Sequence, residues 1–460
     1  MDQSLVFDPD LIKRHDKSGP RYTSYPTAVQ FHDGFNETEY RRVAQATNAG
    51  SNALSLYFHI PFCDTVCFYC GCNKVVTKDR SKAAPYLDRV YKELAMQGEL
   101  FDSSRMVDQL HWGGGTPTFI SPQEMRELMD NTRKHFNLHD DDTGEYSIEI
   151  DPREVTPATI GLLRELGFNR MSLGVQDFDP MVQKAVNRIQ TEAETMAALE
   201  GARQVGFKSI SIDLIYGLPL QNVSNFSRTL DKILEVDPDR LSVFNYAHLP
   251  EMFKPQRRIN EAELPSASMK LDILQMTIER LTSAGYVYIG MDHFAKPNDE
   301  LAIAQRSGQL YRNFQGYSTH AECDLVGLGV TSIGKVGNTY SQNVRTMDEY
   351  YAQIDAGHIP VFRGVELDDD DVLRRDVITR LICNFGLDKR AIESEYGLVF
   401  TDYFAFELPE LDQLQSDGLI VTDADSITVL PAGHLLIRNV CMVFDKYLRG
   451  SVAKRFSKVI

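Results

Sequence analysis

The sequence lacks any segment that could cross a membrane or direct secretion. No run of 18 or more apolar residues occurs in its 460 residues, so no membrane-spanning helix is expected. The first twenty residues contain acidic side chains early and no apolar core of a signal peptide. We therefore expect a cytoplasmic protein without a membrane partner.

Positive charge is also scarce. Lys and Arg number 48 against 65 Asp and Glu, which gives a formal net charge of −17 at pH 7. This balance argues against a nucleic-acid partner, because nucleic-acid binders need a positive footprint. An anionic small-molecule substrate stays possible, since a few local cations suffice. The apolar fraction of 43% and charged fraction of 25% are typical of a globular protein.

The seven cysteines do not form an obvious disulfide framework, because their number is odd and four of them lie within ten residues. The four are Cys63, Cys67, Cys70 and Cys72, spaced C-x3-C-x2-C and then x-C. A structural zinc site usually takes two separated pairs of ligands, and a second pair is lacking. A thioredoxin-like C-x2-C motif would leave Cys63 and Cys72 unexplained.

A [4Fe–4S] cluster is the third interpretation, and the spacing favours it over zinc. Each iron usually takes one thiolate, so three thiolates on one loop would leave one iron open to another ligand. Cys72 sits two positions after Cys70 and would have difficulty reaching another corner of the same cluster. It stays open as a fourth ligand, a reactive thiol or a packed side chain. We interpret the isolated cysteines as buried apolar side chains: Cys323, Cys383 and Cys441.

Strand and helix patterns alternate along the first half of the chain. Six strands are predicted, at 53–60, 107–112, 146–150, 170–175, 209–216 and 241–247. Capping boxes at Ser121–Glu124 and Thr191–Glu194 predict that helices begin after the second and the fourth of these strands. The alternation indicates an α/β fold with a parallel sheet, and no G-x-G-x-x-G motif follows the first strand, which disfavours a dinucleotide-binding fold. We predict a complete or partial (β/α) barrel, with its chemistry at the carboxyl ends of the strands.

Three segments are predicted along the chain. Residues 1–50 are polar and rich in turn residues, 51–360 contain the barrel with an extension, and 361–460 form a small, mainly helical domain. One short β pair is expected near 418–430, and a long amphipathic helix is expected over 264–285.

The motif CDTVCFYC, after a strand and before GGGTP, resembles the radical S-adenosylmethionine (SAM) superfamily. A wider set of motifs is similar to the family of oxygen-independent coproporphyrinogen III oxidases and runs over nearly the whole chain. The set is GPRYTSYPT at 19–27, HIPFCDTVCFYCGCNK at 59–74, HWGGGTPT at 111–118, IEIDPRE at 148–154, GVQDF at 174–178, DLIYGLP at 213–219, FNYAHLP at 244–250, MDHFA at 291–295, RNFQGY at 312–317 and LLIRNVCMVFD at 435–445. A sister group of haem-carrier proteins lacks the fourth cysteine and the N-terminal motif, both of which this chain has.

The resemblance implies a radical-SAM (β/α)6-type partial barrel and a specific reaction. Cys63, Cys67 and Cys70 would hold a [4Fe–4S] cluster whose open iron chelates SAM, and two SAM molecules are expected. A 5′-deoxyadenosyl radical would take a hydrogen from the β-carbon of a propionate, and loss of carbon dioxide and one electron would leave a vinyl group. Two such reactions convert coproporphyrinogen III to protoporphyrinogen IX in haem synthesis. The expected electron donor is flavodoxin with its reductase, the terminal acceptor is unknown, and a monomer is the default.

The resemblance also implies roles for particular residues. Gly114, Gly115 and Thr116 would approach the SAM methionine amine, although a tight strand–helix turn would need glycine anyway. Glu149 fits ribose-hydroxyl binding, while Asp151 at the strand end is expected to cap or pair. Further SAM contacts are implied for Tyr57, Tyr69, Gln176, Arg188, Asp213, Ala247 and Ile333. For the last two, core packing is the simpler interpretation from the residues alone.

The substrate carries four propionates, so an acidic protein needs local cations to bind it. The candidates, each otherwise a simple surface charge, are Arg21, Lys74, Arg153, Arg188 and Arg312. Tyr22 and Tyr25 are expected to help cover the active site. The alternatives are a haem-binding chaperone with the same cluster, another radical enzyme acting on a tetrapyrrole, such as an anaerobic haem-opening methyltransferase, and a non-enzymatic zinc protein.

Overall fold

The computed structural model describes residues 5–449, so predictions for 1–4 and 450–460 lie outside the described part of the chain. The described residues divide into two compact units. The first contains 30–270 and 322–366, and the second contains 5–29, 271–321 and 367–449. Among the helices of residues 5–449, none combines the length and the apolar character that crossing a membrane requires.

Eleven strands of the first unit belong to the main sheet. Asn137–Leu138 pairs in parallel with Met106–Val107 at the side of the sheet, and the other ten follow one another along it. They are β1 (Leu54–Ile60), β2 (Met106–Gly114), β3 (Glu145–Ile150), β4 (Arg170–Gln176), β5 (Ser209–Tyr216), β6 (Arg240–Asn245), β7 (Asp324–Leu328), β8 (Ile333–Val336), β9 (Thr339–Asn343) and β10 (Val361–Glu366). Their order is β6-β5-β4-β3-β2-β1-β7-β8-β9-β10. The pairs from β6 to β7 are parallel, and those from β7 to β10 are antiparallel. The predicted α/β fold with a parallel sheet is confirmed.

Helices connect the parallel strands of this unit. They are Ala83–Gly98, Pro122–His135, Pro157–Glu165, Pro180–Ala185, Glu192–Gln204 and Val223–Val236. Two further helices, Glu37–Ala46 and Met347–Asp355, complete the unit. The predicted capping boxes at Ser121 and Thr191 are both present. Six of the seven residues of β1 are buried, because a central parallel strand is covered on both faces. The exception is Tyr57, which is half-buried.

A buried carboxyl group ties the helix Ala83–Gly98 to the region between β7 and β9. Glu93 accepts hydrogen bonds from the Gly329 N–H at 2.8 Å, the Asn343 amide at 2.8 Å and the Tyr350 hydroxyl at 2.6 Å. Despite these bonds, burial raises the pKa of Glu93 to about 7. The closure of the sheet after β1 therefore depends on a polar network inside the core.

The second unit is mainly helical. Its helices are Pro9–His15, Glu300–Arg306, Asp369–Asn384, Lys389–Tyr396, Phe400–Tyr403, Leu408–Ser416 and Ile437–Val443. Two hairpins pair Val287–Gly290 with His293–Ala295 and Tyr311–Asn313 with Gly316–Ser318. The predicted β pair near 418–430 occurs as Ile420–Thr422 with Ser426–Val429. A third strand, Gly386–Asp388, pairs with Ser426–Val429. This strand has three residues, which is too short for an alternation of apolar and polar side chains to predict it from the sequence. The long helix predicted over 264–285 is Ala267–Ser283.

The division into three segments stays a prediction. The two compact units have boundaries that differ from those of the predicted segments. Residues 30–50 belong with the sheet of the first unit, because the His32 N–H donates to the Gly364 carbonyl at 2.9 Å beside β10. Residues 271–321 belong with the helices that follow residue 367. In both cases, contacts between residues far apart in the chain place a segment in a unit that its position in the sequence did not indicate.

The stretch from Gly19 to Tyr25 is fastened within the second unit. The Tyr22 hydroxyl donates to the Asp445 carboxylate at 3.0 Å, and the Lys446 N–H donates to the Tyr25 hydroxyl at 3.1 Å. Tyr22 and Tyr25 are both buried. The structure therefore gives these tyrosines an anchoring role, and covering of the active site stays a prediction.

Candidate active site

The four clustered cysteines lie on a loop that begins at the carboxyl end of β1. Phe62–Cys63 pairs in parallel with Val75–Val76, and the Thr77 N–H donates to the Cys63 carbonyl at 2.9 Å. These bonds close the loop at its base. The sequence thus places a loop with four cysteines, closed at its base by backbone hydrogen bonds, at the end of the sheet where parallel α/β proteins carry their chemistry.

The cysteine thiols of this loop are all free. Cys67 is buried, Cys63 and Cys70 are half-buried, and Cys72 is exposed. Cys63, Cys67 and Cys70 offer three thiols on one short loop. Thiolates are soft donors, which fit an iron–sulfur cluster.

Hydrogen-bond donors surround two of the sulfurs. The Thr116 hydroxyl lies 3.6 Å from Cys63 Sγ, while Arg188 Nη1 and Arg153 Nη2 lie 3.5 and 3.9 Å from Cys67 Sγ. Burial raises the pKa of the Cys63 thiol to about 11. Donors of this kind stabilise thiolates, which are the form that binds metal.

Cys72 lies beside Cys70 in the folded loop. A hydrogen bond from Cys72 lowers the pKa of Cys70, and the Lys74 ammonium acts in the same direction. Lys74 Nζ also donates to the Cys70 and Cys72 carbonyls, at 3.3 Å each. The neighbouring-thiol interpretation of Cys72 therefore has a structural basis, and Lys74 is fastened to the cysteine loop.

Asp151 joins two arginines at the loop. Its carboxylate accepts from Arg153 Nη2 at 2.6 Å and from Arg188 Nη1 at 3.1 Å, and it caps the turn Pro152–Glu154. Burial alone would raise the pKa of Asp151, but Arg188 and Arg153 hold it below its usual value. The prediction that Asp151 caps or pairs is confirmed. Arg188 Nε is buried without a hydrogen-bond partner among the described residues.

The glycine run forms a turn against the end of β1. The Gly115 N–H donates to the Ile60 carbonyl at 2.8 Å, and the Thr116 N–H donates to the Phe62 carbonyl at 2.7 Å. Gly114 has a φ of 118°, which favours glycine. A Cβ on Gly115 would lie 2.6 Å from the Phe62 carbonyl oxygen. The tight turn therefore requires glycine whatever it binds, and contact with SAM stays a prediction.

Glu149 faces the same turn from β3. Its Oε2 accepts from the Gly114 N–H at 3.1 Å, and its Oε1 lies 3.5 Å from His111 Nε2. The side chain is 46% exposed, so the carboxylate is accessible to a ligand. His111 in turn stacks on Tyr57, with ring centroids 5.8 Å apart and planes at 11°. Sequence reasoning assigned no role to His111, although it lies two residues before the glycine run on β2.

Asp213 and Gln176 lie toward the carboxyl ends of neighbouring strands. Asp213 accepts from the Ser172 hydroxyl at 2.9 Å, and burial raises its pKa to about 6. Gln176 has a φ of 68°, a conformation that is uncommon for a residue with a side chain. A register shift between β4 and β5 accompanies it. Such local strain is typical of functional sites.

The remaining predicted contacts are accessible rather than buried. Tyr69 is half-buried, and the Gln256 amide donates to its carbonyl at 3.0 Å and to the Ala247 carbonyl at 3.3 Å. Ala247 is exposed and Ile333 is half-buried. Core packing, the simpler interpretation for both, does not hold for the exposed Ala247. Ile333 is partly buried, and its contact with SAM stays a prediction. The three isolated cysteines are buried as predicted: Cys323, Cys383 and Cys441.

The chain is similar to known protein families and to individual proteins over most of its length. Residues 57–233 match the model of the radical SAM superfamily, and 367–436 match that of the HemN C-terminal domain. Oxygen-independent coproporphyrinogen III oxidase of Pseudomonas aeruginosa is 54% identical over 457 residues, 99% of each chain. The Escherichia coli K12 protein of that name is 50% identical, covering 100% of this chain and 99% of its own. The solved structure of E. coli coproporphyrinogen III oxidase (HemN), a radical SAM enzyme, matches with a TM-score of 0.92 and 50% identity over 96% of this chain and all of its own.

Proposed function

Because the chain belongs to the family of oxygen-independent coproporphyrinogen III oxidases, radical SAM enzymes that use SAM and a [4Fe–4S] cluster, we propose that it oxidatively decarboxylates coproporphyrinogen III. Two propionate side chains become vinyl groups, which yields protoporphyrinogen IX for haem biosynthesis. The observation that carries the proposal is the cysteine loop at the end of β1, with Arg188 and Arg153 facing the Cys67 sulfur.

The cluster is assigned to Cys63, Cys67 and Cys70. Their thiols lie on one loop at the end of β1, and Thr116 and Arg188 offer hydrogen bonds to two of them. Cys72 is not assigned as a ligand, because it lies directly against Cys70. Its thiol acts as a hydrogen-bonding neighbour of Cys70.

SAM is assigned to the region beside the cysteine loop, at the carboxyl ends of β2 to β5. The exposed Glu149 carboxylate can accept hydrogen bonds from ribose hydroxyls, and the unpartnered Arg188 Nε can donate to a carboxylate. The other residues assigned to SAM contacts are Tyr57, Tyr69, Gly114, Gly115, Thr116, Gln176, Asp213, Ala247 and Ile333. A second SAM molecule is part of the proposal, and the accessibility of Ala247 and Ile333 supports it.

When bound, the cluster and SAM supply the one-electron chemistry that removes a hydrogen atom from the propionate β-carbon. The substrate then loses its carboxylate as carbon dioxide and one electron to an acceptor that is not identified. The chain's own residues bind and orient: Glu149 fixes hydroxyl groups, while Arg188 and Asp151 hold charge beside the Cys67 sulfur.

The proposal includes partners and a location. Flavodoxin with its reductase is the proposed electron donor, and a monomer is the proposed state. A cytoplasmic location is supported by the free thiols, because such thiols persist in a reducing compartment. No nucleic-acid or membrane partner is proposed, in keeping with the net charge of −17.

The test is an anaerobic assay with SAM, a reductant and coproporphyrinogen III, followed by chromatography of both products. We expect protoporphyrinogen IX and methionine together from the wild type and from the control Cys323→Ala, and neither product from Cys67→Ser. 5′-Deoxyadenosine without a vinyl product would contradict the proposal. Haem binding without any turnover would favour a haem-binding chaperone instead.

A further inference from the structure

Arg312 is a buried arginine of the second unit, and two of its hydrogen-bond donors have no acceptor among residues 5–449. Arg312 lies on the hairpin Tyr311–Asn313 with Gly316–Ser318 and is 6% exposed. Its Nε and Nη1 are buried, and neither has a hydrogen-bond partner among the described residues. The salt bridges of the described part of the chain include none to Arg312. Its charge is therefore desolvated without a counter-ion.

The Arg312 guanidinium lies over an aromatic ring. Its central carbon lies 4.7 Å from the centroid of Tyr317, the residue opposite on the hairpin. The Tyr317 hydroxyl is directed to the Ile382 carbonyl at 3.3 Å. A ring covers one face of the planar guanidinium and holds its orientation, but the N–H donors lie in the plane of the group and are left for another partner.

Two more arginines of the same unit share this neighbourhood. Arg438 is 2% exposed and donates to the carbonyls of Gly19 and Pro20. Burial lowers the pKa of Arg438 to about 10, and the charges of Arg21 and Arg312 add to the effect. Arg21 forms an ion pair with Asp292. The cluster thus brings three cations and one carboxylate, Asp292, together in a chain whose net charge is −17.

A buried unpaired charge destabilises the fold, because the charge loses its hydration without compensation. Folded proteins keep such a group mainly where a ligand or a metal supplies the missing partner. A cation excludes a metal here. The planar fork of arginine matches a carboxylate, to which it donates two parallel hydrogen bonds.

We propose that Arg312, in the cluster with Arg21 and Arg438, binds a propionate carboxylate of the tetrapyrrole substrate. The assignment rests on the proposed function, and it selects one of the five cations that the sequence suggested. Lys74 and Arg153 are engaged by the cysteine loop and by Asp151, and Arg188 has the Cys67 sulfur beside it. SAM also carries a carboxylate, so the test separates the two sources.

The test measures binding as well as turnover, using the full chain with its cluster reconstituted under anaerobic conditions. The probes are coproporphyrin III, a stable tetracarboxylate, its uncharged tetramethyl ester, and SAM, each titrated by fluorescence or calorimetry. The variants are Arg312→Gln and Arg312→Lys. The matched control is Arg380→Gln, which removes the same charge from an ion pair with Asp376 and Glu395 on the same unit.

We expect Arg312→Gln to weaken coproporphyrin III binding about tenfold to a hundredfold, the loss typical of hydrogen bonds to a charged group. Ester and SAM binding should not change, and Arg380→Gln should bind all three probes as the wild type does. Arg312→Lys should fall between wild type and Arg312→Gln, because it keeps the charge and loses the fork. With coproporphyrinogen III as substrate, KM should rise more than kcat falls.

Unchanged coproporphyrin III binding by Arg312→Gln would overturn the inference. An equal loss of ester binding would show damage to the fold, and a loss of SAM binding alone would assign the carboxylate to SAM; both results also overturn it. If Arg312→Gln does not fold, wild-type affinity in Arg312→Lys overturns it. A wild type that binds coproporphyrin III but forms no vinyl product refutes the proposed function instead, so the two failures are distinguishable.

Discussion

Replacing Gly115 with alanine adds one methyl group where the glycine turn meets the cysteine loop. The new Cβ would lie 2.6 Å from the Phe62 carbonyl oxygen and 2.8 Å from both the carbonyl carbon and oxygen of Pro61. All three are backbone atoms, so no side chain can rotate away. The two chain segments must separate by roughly half an ångström, and overpacking of this kind costs about 1–3 kcal/mol.

The separation also strains the hydrogen bonds from Gly115 to Ile60 and from Thr116 to Phe62, one residue before Cys63. We therefore expect Gly115→Ala to lower the free energy of unfolding by about 1–3 kcal/mol and to retain less iron than the wild type after reconstitution. The measurements are urea unfolding and iron per chain. Gly161→Ala is the matched control.

A Cβ on Gly161 meets no described atom within 4 Å, and the residue lies in the helix Pro157–Glu165. Alanine there should stabilise the protein by up to about 1 kcal/mol, because glycine is a poor helix former, and should leave the iron content unchanged. If Gly115→Ala were as stable as Gly161→Ala and kept its full iron content, the reasoning about the turn would be refuted.

Two further predictions concern buried carboxyl groups. Asp151→Asn should lower the free energy of unfolding of the cluster-free protein by about 3 kcal/mol, because Arg188 loses its buried counter-ion; the exposed Asp140→Asn should change it by less than about 0.5 kcal/mol, and equal losses in urea unfolding would contradict the ion-pair argument. The pKa of Glu93 is raised to about 7 in the folded state from a usual 4.5, so the folded protein keeps this proton between those pH values. The stabilisation that comes from the protonated Glu93 is therefore full below pH 4.5 and is lost as the pH rises through 7. The loss amounts to about 3 kcal/mol, and Glu93→Gln should remove this pH dependence from unfolding curves measured between pH 5 and 8; a variant with the wild-type slope would contradict it.

The strands were predictable because their burial leaves a local pattern. β5 occurs at the predicted bounds, Ser209–Tyr216, since polar and apolar residues alternate from Ser209 to Leu214. β2 extends two residues past the predicted Trp112, because Gly113 and Gly114 pair with His59 and Ile60 of β1. Glycine carries no strand signal of its own, so this pairing was not visible in the local sequence.

The active-site interactions were less predictable because they join residues far apart in the chain. The Asp151 carboxylate meets Arg188 across 37 positions, and Arg188 meets Cys67 across 121. A motif shows which residue types are present but not which of them pair. The same reason explains why five cations were equally plausible for the substrate. The structure distinguishes buried Arg312, with two unpartnered donors, from buried Arg188, which contacts Asp151 and the Cys67 sulfur.

The most direct test of the account is a scan in which each of the seven cysteines is replaced singly by serine. Iron per chain and the absorption of the thiolate–iron bond are measured after anaerobic reconstitution. The account predicts that the Cys63, Cys67 and Cys70 variants lose the cluster. The Cys72 variant should keep it, as should the variants at the three isolated cysteines, Cys323, Cys383 and Cys441. Loss of the cluster in the Cys72 variant, or its retention in any of the first three, would contradict the assignment of the three-thiol site.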